Sequence, residues 1–373
     1  MFPYKIVTLV GTRPELIKLS AVIKEIDKHF VKNTLVHTGQ HYDYELNAIF
    51  FQDFDLRQPD LVLSSTGENS TIGAIGDMLS FVELTLALEK PDAVLIYGDT
   101  NSALGAYVAK RKRVPIFHME AGNRCFDSRV PEEVNRKIVD HLSDINMTIS
   151  EFARQNLIKE GLPSQFTFKV GSSMGEVLAL QKEKIEASSI KETLGLTNNE
   201  YLVLSIHREE NVMSDAYLDV LLKFIESFDL CEKIVFSAHP RTRDLLLTKN
   251  KDLEQLERLV FMKPFSFSDY ICLQKDAFCT VSDSGTLMEE ASLCGFPAVT
   301  VRDAYERPEG MEYASAVVCD WDLDRLIASV ALARNIPQTG IVDDYNEFNV
   351  SHKVCKILAS YIPIIKKVTW RES

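Results

Sequence analysis

Lys5-Ile-Val-Thr-Leu-Val10 running straight into Gly11-Thr-Arg-Pro-Glu-Leu-Ile-Lys18 decides the fold. The first six residues read as a buried strand, and the segment from about Glu15 to Lys28 carries a helical apolar period. This β-then-α rhythm returns with strands at Asn33 to His37, Ala93 to Tyr97, Pro115 to His118 and Ile145 to Ser150. Continuous apolar runs of this kind belong to parallel strands covered on both faces. After Thr167-Phe-Lys-Val170 comes Gly171-Ser-Ser and a polar stretch from Lys182 to Glu200, and then the rhythm restarts at Tyr201 to Ile206. Strands follow at Lys233 to Ala238, Leu259 to Met262, Phe278 to Val281, Ala298 to Val301 and Ala316 to Cys319, with helical patterns such as Ala216 to Phe228 and Leu287 to Leu293 between them. The expected fold class is α/β: two Rossmann-like doubly wound domains, 1–170 and 171–350, facing across a cleft. An amphipathic segment, roughly Ser351 to Tyr361 within 351–373, is expected to cross back onto the first domain.

The 373 residues suit two domains. With 41 basic against 54 acidic residues the formal charge is −13, which argues against a nucleic-acid partner. Seven cysteines, at 125, 231, 272, 279, 294, 319 and 355, are scattered without CxxC spacing, so neither a disulfide framework nor a zinc knuckle is expected. No apolar run reads as a membrane span and the N-terminus does not read as a signal peptide, so a cytoplasmic protein with no membrane partner is expected.

In doubly wound sheets the chemistry lies in loops after strands. Gly11 allows a tight turn, Pro14 suits a first helical turn, and Arg13 brings a guanidinium to a helix N-terminus that favours anions; a well-capped helix explains the same residues equally well. Neither GxGxxG nor GxxxxGK[ST] occurs, which removes support for a nicotinamide or Walker-type site. Asp99 in Gly98-Asp-Thr-Asn101 and Glu120 in His118-Met-Glu-Ala-Gly-Asn-Arg124 both follow strands, and Glu132 lies in the first turn after Pro131. An Asx turn or macrodipole complementation explains each alone, whereas three carboxylates in one cleft would raise a pKa by mutual repulsion and prepare an acid or base. In the second half, His207-Arg208 and His239 follow strands without any zinc-ligand spacing, so no metal is expected; a structural role suits His239 as well. Ser284, Gly285 and Thr286 open a helix whose N–H groups can cradle phosphate, with Glu290 one turn on for ribose hydroxyls; a plain N-cap accounts for Asp283-Ser284.

Taken in order, Gly11-Thr-Arg-Pro-Glu with Lys18, Thr38-Gly-Gln-His41, Gly98-Asp-Thr100, His118-Met-Glu-Ala-Gly122, Pro131-Glu-Glu-Val-Asn-Arg136, His207-Arg208, Asp283-Ser-Gly285 with Glu289-Glu290, and Arg302-Asp303 with Glu306-Arg-Pro308 resemble the non-hydrolysing UDP-N-acetylglucosamine 2-epimerases of the GT-B fold. The resemblance implies an isomerase that needs no cofactor, takes a UDP-sugar as its substrate and forms a homodimer. It assigns acid/base work to Asp99, Glu120 and Glu132 with His207, and UDP binding to Arg13, Lys18, His239, Tyr270, Ser284, Gly285, Thr286, Glu290 and Arg307. Where common members carry Glu-Ala-Gly-Leu-Arg-Thr and a longer loop, this chain has Glu120-Ala-Gly-Asn-Arg-Cys-Phe-Asp127 and a shorter path to Pro131. That variant resembles the branch converting UDP-2-acetamido-2,6-dideoxy-β-L-talose to UDP-N-acetyl-L-fucosamine for capsule or O-antigen. His41-Tyr-Asp-Tyr-Glu45 lacks the Arg usual where members bind an activating second sugar nucleotide, so activation is not carried over. The rival expectations are a UDP-N-acetylglucosamine epimerase, a GT-B glycosyltransferase, and a nucleotide-sugar sensor without turnover.

Overall fold

A computed structural model of the chain describes residues 1–39, 51–64, 70–238 and 240–371. It divides into two compact units, Met1–Ala179 with Asp344–Ser373, and Leu180–Asp343.

The first unit is built on β1 (Phe2–Val10), β2 (Phe30–His37), β3 (Leu61–Val62), β4 (Ala93–Tyr97), β5 (Ile116–Met119), β6 (Ile145–Thr148) and β7 (Thr167–Lys169). Their order is β3-β2-β1-β4-β5-β6-β7, every pairing parallel. All five β4 residues are buried, as expected of a strand covered on both faces. The direction of winding reverses between β1 and β4, which places the loops after Val10 and Tyr97 at the switch point where α/β sheets bind ligands.

The second unit repeats the plan with β8 (Tyr201–Ser205), β9 (Lys233–Ser237), β10 (Leu259–Met262), β11 (Cys279–Ser282), β12 (Ala298–Val301) and β13 (Val317–Cys319), ordered β10-β9-β8-β11-β12-β13 and again parallel. Its switch point lies between β8 and β11, hence at His207-Arg208 and Asp283-Ser284-Gly285.

Two expectations need correction. The boundary lies at Ala179/Leu180 rather than near 170, because the helix Met174–Leu180 packs with the first unit. A Cβ on Gly175 would meet the backbone of Tyr345 and Glu347, and Glu176 accepts the Ser351 N–H at 2.9 Å. The returning helix Val350–Val368 buries Val354, Leu358, Ile362 and Ile365 along one face and packs on the helix Arg13–His29. Secondly, the helix Thr71–Glu89 is long and apolar enough to cross a membrane by length and composition, contrary to the sequence reading. Met78, Val82, Thr85 and Leu86 form its buried face, whereas Ile72, Leu84 and Leu88 are exposed.

Candidate functional site

In the first unit, the helix Arg13–His29 begins with a capping arrangement that the expected tight turn does not describe. Glu15 reaches back so that Oε2 accepts the N–H of Gly11 at 2.6 Å and of Thr12 at 3.3 Å. Gly11 is required by crowding: a Cβ there would stand 1.8 Å from Ser102 Oγ and 2.4 Å from Thr38 Oγ1. Thr100 Oγ1 donates to the other Glu15 oxygen, joining the loops after β1 and β4. Burial is the main reason the Glu15 carboxyl is pushed up to about 7, with nearby Asp99 adding to it. Sequence reasoning singled out the motif but not this residue, although its N3 position after Thr12 was a visible signal.

Of Asp99, Glu120 and Glu132, expected to act on one another by repulsion, two have a cation beside them. Asp99 pairs with Arg136 (Nη2 to Oδ2, 2.6 Å), and Asn135 donates to the Asp99 carbonyl oxygen at 3.0 Å. Glu120, with its backbone at φ +61°, accepts from the Tyr97 hydroxyl at 2.6 Å and from Lys18 Nζ at 3.2 Å. Lys18 is therefore a buried partner of Glu120, since the second turn of its helix faces the sheet; it was expected to contact UDP. Arg13 sits half-buried at the first turn, and Glu132 half-buried at the first turn of the helix Pro131–Leu142. The loop after Glu120 buries Asn123 and Arg124 but leaves Phe126 74% exposed at φ +57°.

In the second unit, wholly buried Asp283 organises the loop after β8. It accepts the N–H groups of His207 (3.1 Å) and Arg208 (2.9 Å) and the Asn211 amide (2.9 Å), and its Oδ1 lies 3.0 Å from His207 Nδ1. Burial alone would raise this carboxyl, but His207, Asn211 and the Arg208 N–H hold it down at about 2. With Nδ1 held on Asp283, the half-exposed ring of His207 is oriented through a carboxylate, as histidines that move protons are. Asp283 was quoted within a motif without a role; its place directly after β11 was the available signal.

The phosphate cradle differs from expectation. The Ser284 N–H is spent on Ser282 Oγ at 3.0 Å and the Thr286 N–H on Ser284 Oγ at 3.3 Å, so those two donors close the turn itself. Beside Gly285 the space a Cβ would fill is 3.2 Å from Glu306 Oε1, 3.8 Å from Arg302 Nη1 and 4.0 Å from Arg208 Nη2, so two guanidinium groups stand at the turn, Arg302 paired with Glu306 at 2.8 Å. Arg307 braces this turn rather than facing outward: its Nε donates to the Gly285 carbonyl oxygen at 2.9 Å and its Nη2 is 3.0 Å from Glu289. Glu290 accepts from Thr286 Oγ1 at 2.6 Å and Gln274 Nε2 at 2.9 Å. The Tyr270 hydroxyl is hydrogen-bonded with Ser205 and Ser282 at the ends of β8 and β11, and burial raises its pKa. His239, Gln40 and His41 to Glu45 lie outside the described residues.

Each unit thus carries a distinct chemistry. The first offers carboxylates steadied by cations, suited to proton transfer, and the second offers guanidinium groups and an oriented imidazole, suited to an anionic leaving group.

A family model described as UDP-N-acetylglucosamine 2-epimerase matches residues 24–359. The UDP-N-acetylglucosamine 2-epimerase of Methanocaldococcus jannaschii is 34% identical over 346 residues, covering 89% of this chain and 92% of that protein. A UDP-2,3-diacetamido-2,3-dideoxy-D-glucuronate 2-epimerase of Pseudomonas aeruginosa is 32% identical over 362 residues, covering 95% and 99%. The structure of UDP-N-acetylglucosamine 2-epimerase from Rickettsia bellii superposes with a TM-score of 0.90 at 46% identity, covering 99% of this chain and 100% of that one.

Proposed function

The chain belongs to the UDP-N-acetylglucosamine 2-epimerase family and is an isomerase, and from that premise we propose that it inverts C2 of UDP-2-acetamido-2,6-dideoxy-β-L-talose to give UDP-N-acetyl-L-fucosamine for capsule or O-antigen assembly. The C2 proton of an N-acetyl sugar is not acidic, so its removal is concerted with departure of UDP from C1, leaving a glycal. The UDP oxygen then re-adds at C1 while a proton reaches C2 from the opposite face, and the atoms balance without a redox partner.

The observation that carries this reading is the pairing of each strand-end carboxylate with a cation, Glu120 with Lys18 and Asp99 with Arg136. Each carboxylate thus stands at a strand end where a proton acceptor is needed, with a cation beside it to balance its charge. Glu132 completes the acid/base set, Arg208, Arg302 and His207 receive the charge that develops on the departing diphosphate, and Glu290 and Tyr270 serve the nucleoside. Arg13 is assigned to the diphosphate as well.

The choice of sugar rests on Phe126, whose exposed ring offers apolar surface to a C6 methyl. Such a contact discriminates by about 1 to 3 kcal/mol. A second reading, UDP-N-acetylglucosamine to UDP-N-acetylmannosamine, is favoured by the names of the Methanocaldococcus and Rickettsia relatives. The Pseudomonas relative, named for a different sugar, supports variation of substrate at comparable identity. Incubating both UDP-sugars in D₂O and following C2 by NMR tests the reaction. Deuterium at C2 with inversion is expected, a higher kcat/KM for the talose derivative supports the first sugar, and retention of the original C2 proton overturns the elimination.

A homodimer belongs to the same proposal. Its support is the exposed apolar side chains of the helix Thr71–Glu89, Leu84 and Leu88 near its end and Ile72 in its first turn.

A further inference from the structure

Among the acidic residues of the helix Pro131–Leu142, Glu133 is one that the reaction does not use. Glu133 follows the acid/base residue Glu132, yet its side chain is wholly buried. Its Oε2 accepts the Cys125 N–H at 3.0 Å and its Oε1 the Phe126 N–H at 3.2 Å, and the Cys125 thiol lies 3.4 Å from Oε2. Those two N–H groups belong to the turn in which Phe126 adopts φ +57°, a left-handed conformation that an aromatic side chain holds only when its surroundings impose it. One turn along the helix, Arg136 places Nη1 3.2 Å from Glu133 Oε2 and Nη2 2.6 Å from Asp99 Oδ2. A continuous path therefore runs from the Phe126 backbone through Glu133 and Arg136 to the Asp99 carboxylate.

We propose that Glu133 is a positioning residue that ties the sugar-selecting turn at Cys125 and Phe126 to Asp99, holding the turn through its two accepted N–H bonds and Asp99 through Arg136. This rests on the assignment of Asp99 to proton transfer and of Phe126 to the sugar. A carboxylate suits both tasks: two oxygens accept two divergent backbone donors while the negative charge orients the guanidinium. Burial works against ionisation, but the Cys125 N–H, Lys137 and Arg136 keep the carboxyl below its usual range.

The geometry also separates Glu133 from a residue that merely fills space. If it acts through both arms, its loss changes sugar preference and turnover together. Phe126→Ala, by contrast, changes preference chiefly through KM. Lys137, 3.2 Å from Glu133 Oε1 and 42% exposed, meets the carboxylate from the solvent side, so Lys137→Ala removes one neighbouring cation while leaving both accepted N–H bonds and Arg136 in place, and gives the control.

The experiment uses the full chain in four forms: wild type, Glu133→Gln, Phe126→Ala and their double variant, with Lys137→Ala alongside. Amide hydrogen exchange at Cys125 and Phe126, measured without substrate, is expected to quicken by about 10-fold or more in Glu133→Gln and to stay unchanged in Lys137→Ala. In Glu133→Gln, kcat is expected to fall by about 10-fold, and the ratio of kcat/KM between the talose and N-acetylglucosamine nucleotides to move toward one. Adding Phe126→Ala should change that ratio no further than Glu133→Gln alone. Unchanged exchange at Cys125 and Phe126 in Glu133→Gln overturns the proposal, and so does a ratio on which the two substitutions act independently. Should Glu133→Gln fail to fold, Glu133→Asp, which draws the charge back by one methylene, takes its place with the same expectations. A wild-type enzyme that turns over neither nucleotide overturns the substrate assignment instead, and the exchange comparison then decides the role of Glu133 by itself.

Discussion

His118 and Asp140 stand 3.0 Å apart, Nδ1 to Oδ1, with neither side chain exposed. The other ring nitrogen of His118 is 2.8 Å from the Gly98 carbonyl oxygen, directly before Asp99, while Asp140 accepts the Gly122 N–H at 3.2 Å, two residues after Glu120. Asp140 also takes Arg124 Nη1 at 2.7 Å. One buried pair thus supports both carboxylate-bearing loops. The helix that supplies Asp140 also supplies Glu132, Asn135 and Arg136, so the Pro131-Glu-Glu-Val-Asn-Arg136 motif is as much a scaffold as a source of acid.

The pair has a pH signature. Burial disfavours the imidazolium, but Asp140 and the Gly98 carbonyl outweigh it and raise His118 above its ordinary 6.5. A histidine raised in the folded state contributes stability that is complete below its unfolded value and is lost as pH rises through the folded one. His118→Asn should therefore cost about 3 to 5 kcal/mol near pH 6, with the difference from wild type shrinking on the alkaline side. Thermal melts of both proteins across pH 6 to 9 check this, and a pH-independent gap counts against a charged His118.

Glu15 gives the opposite lesson about a carboxyl. Its pKa is raised from 4.5 to about 7, chiefly by burial, so the protonated form suits the folded state. The resulting stability is fully present below 4.5 and is lost as pH climbs through 7, a swing of about 3 kcal/mol. Glu15→Gln should flatten that slope, matching wild type near pH 5 and exceeding it near pH 8. Parallel denaturation curves for the two proteins would contradict the buried-carboxyl account.

Strands were legible because a parallel strand covered on both faces must be apolar along its length: Ala93–Tyr97, Leu259–Met262 and Ala298–Val301 coincide with the runs read from sequence. The helix Thr71–Glu89 escaped notice for a related reason, since apolar residues on its exposed face erase the period that marks an amphipathic helix. Gly171-Ser-Ser read as a hinge because no local signal shows Tyr345 and Glu347 returning against Gly175. At the site, loop positions follow from the winding of each sheet and were readable. The partners were not: Lys18, expected to bind UDP, meets Glu120 across 102 residues of chain, and no local signal shows that pairing.

The exposed face of the helix Thr71–Glu89 makes a separate prediction. Ile72, Leu84 and Leu88 are 78%, 64% and 77% exposed, more apolar surface than an isolated helix face in water favours. Leu84→Glu with Leu88→Glu should convert a homodimer to monomer in light scattering with no loss of folded helix content, because neither side chain belongs to the buried face. A wild-type protein that scatters as a monomer would remove the dimer from the proposal.

The division of labour between the two units makes the most direct prediction about catalysis. Asp99→Asn, Glu120→Gln and Glu132→Gln keep side-chain shape while removing a proton carrier, so each should lower turnover by roughly 10²-fold or more with UDP affinity largely kept. Glu120→Gln also takes a negative charge from beside the buried Lys18 ammonium, so it should lose some thermal stability as well. In the second unit the expectation inverts: Arg208→Ala and Arg302→Ala remove cations beside Gly285 and should weaken UDP binding itself, measurable by calorimetry with UDP alone. Asp283→Asn is the intermediate case. It leaves His207 without the carboxylate that orients its ring, so kcat should fall more than UDP affinity. If the three amide variants instead lost UDP binding while the arginine variants kept it, proton transfer and nucleotide binding would have to be exchanged between the units.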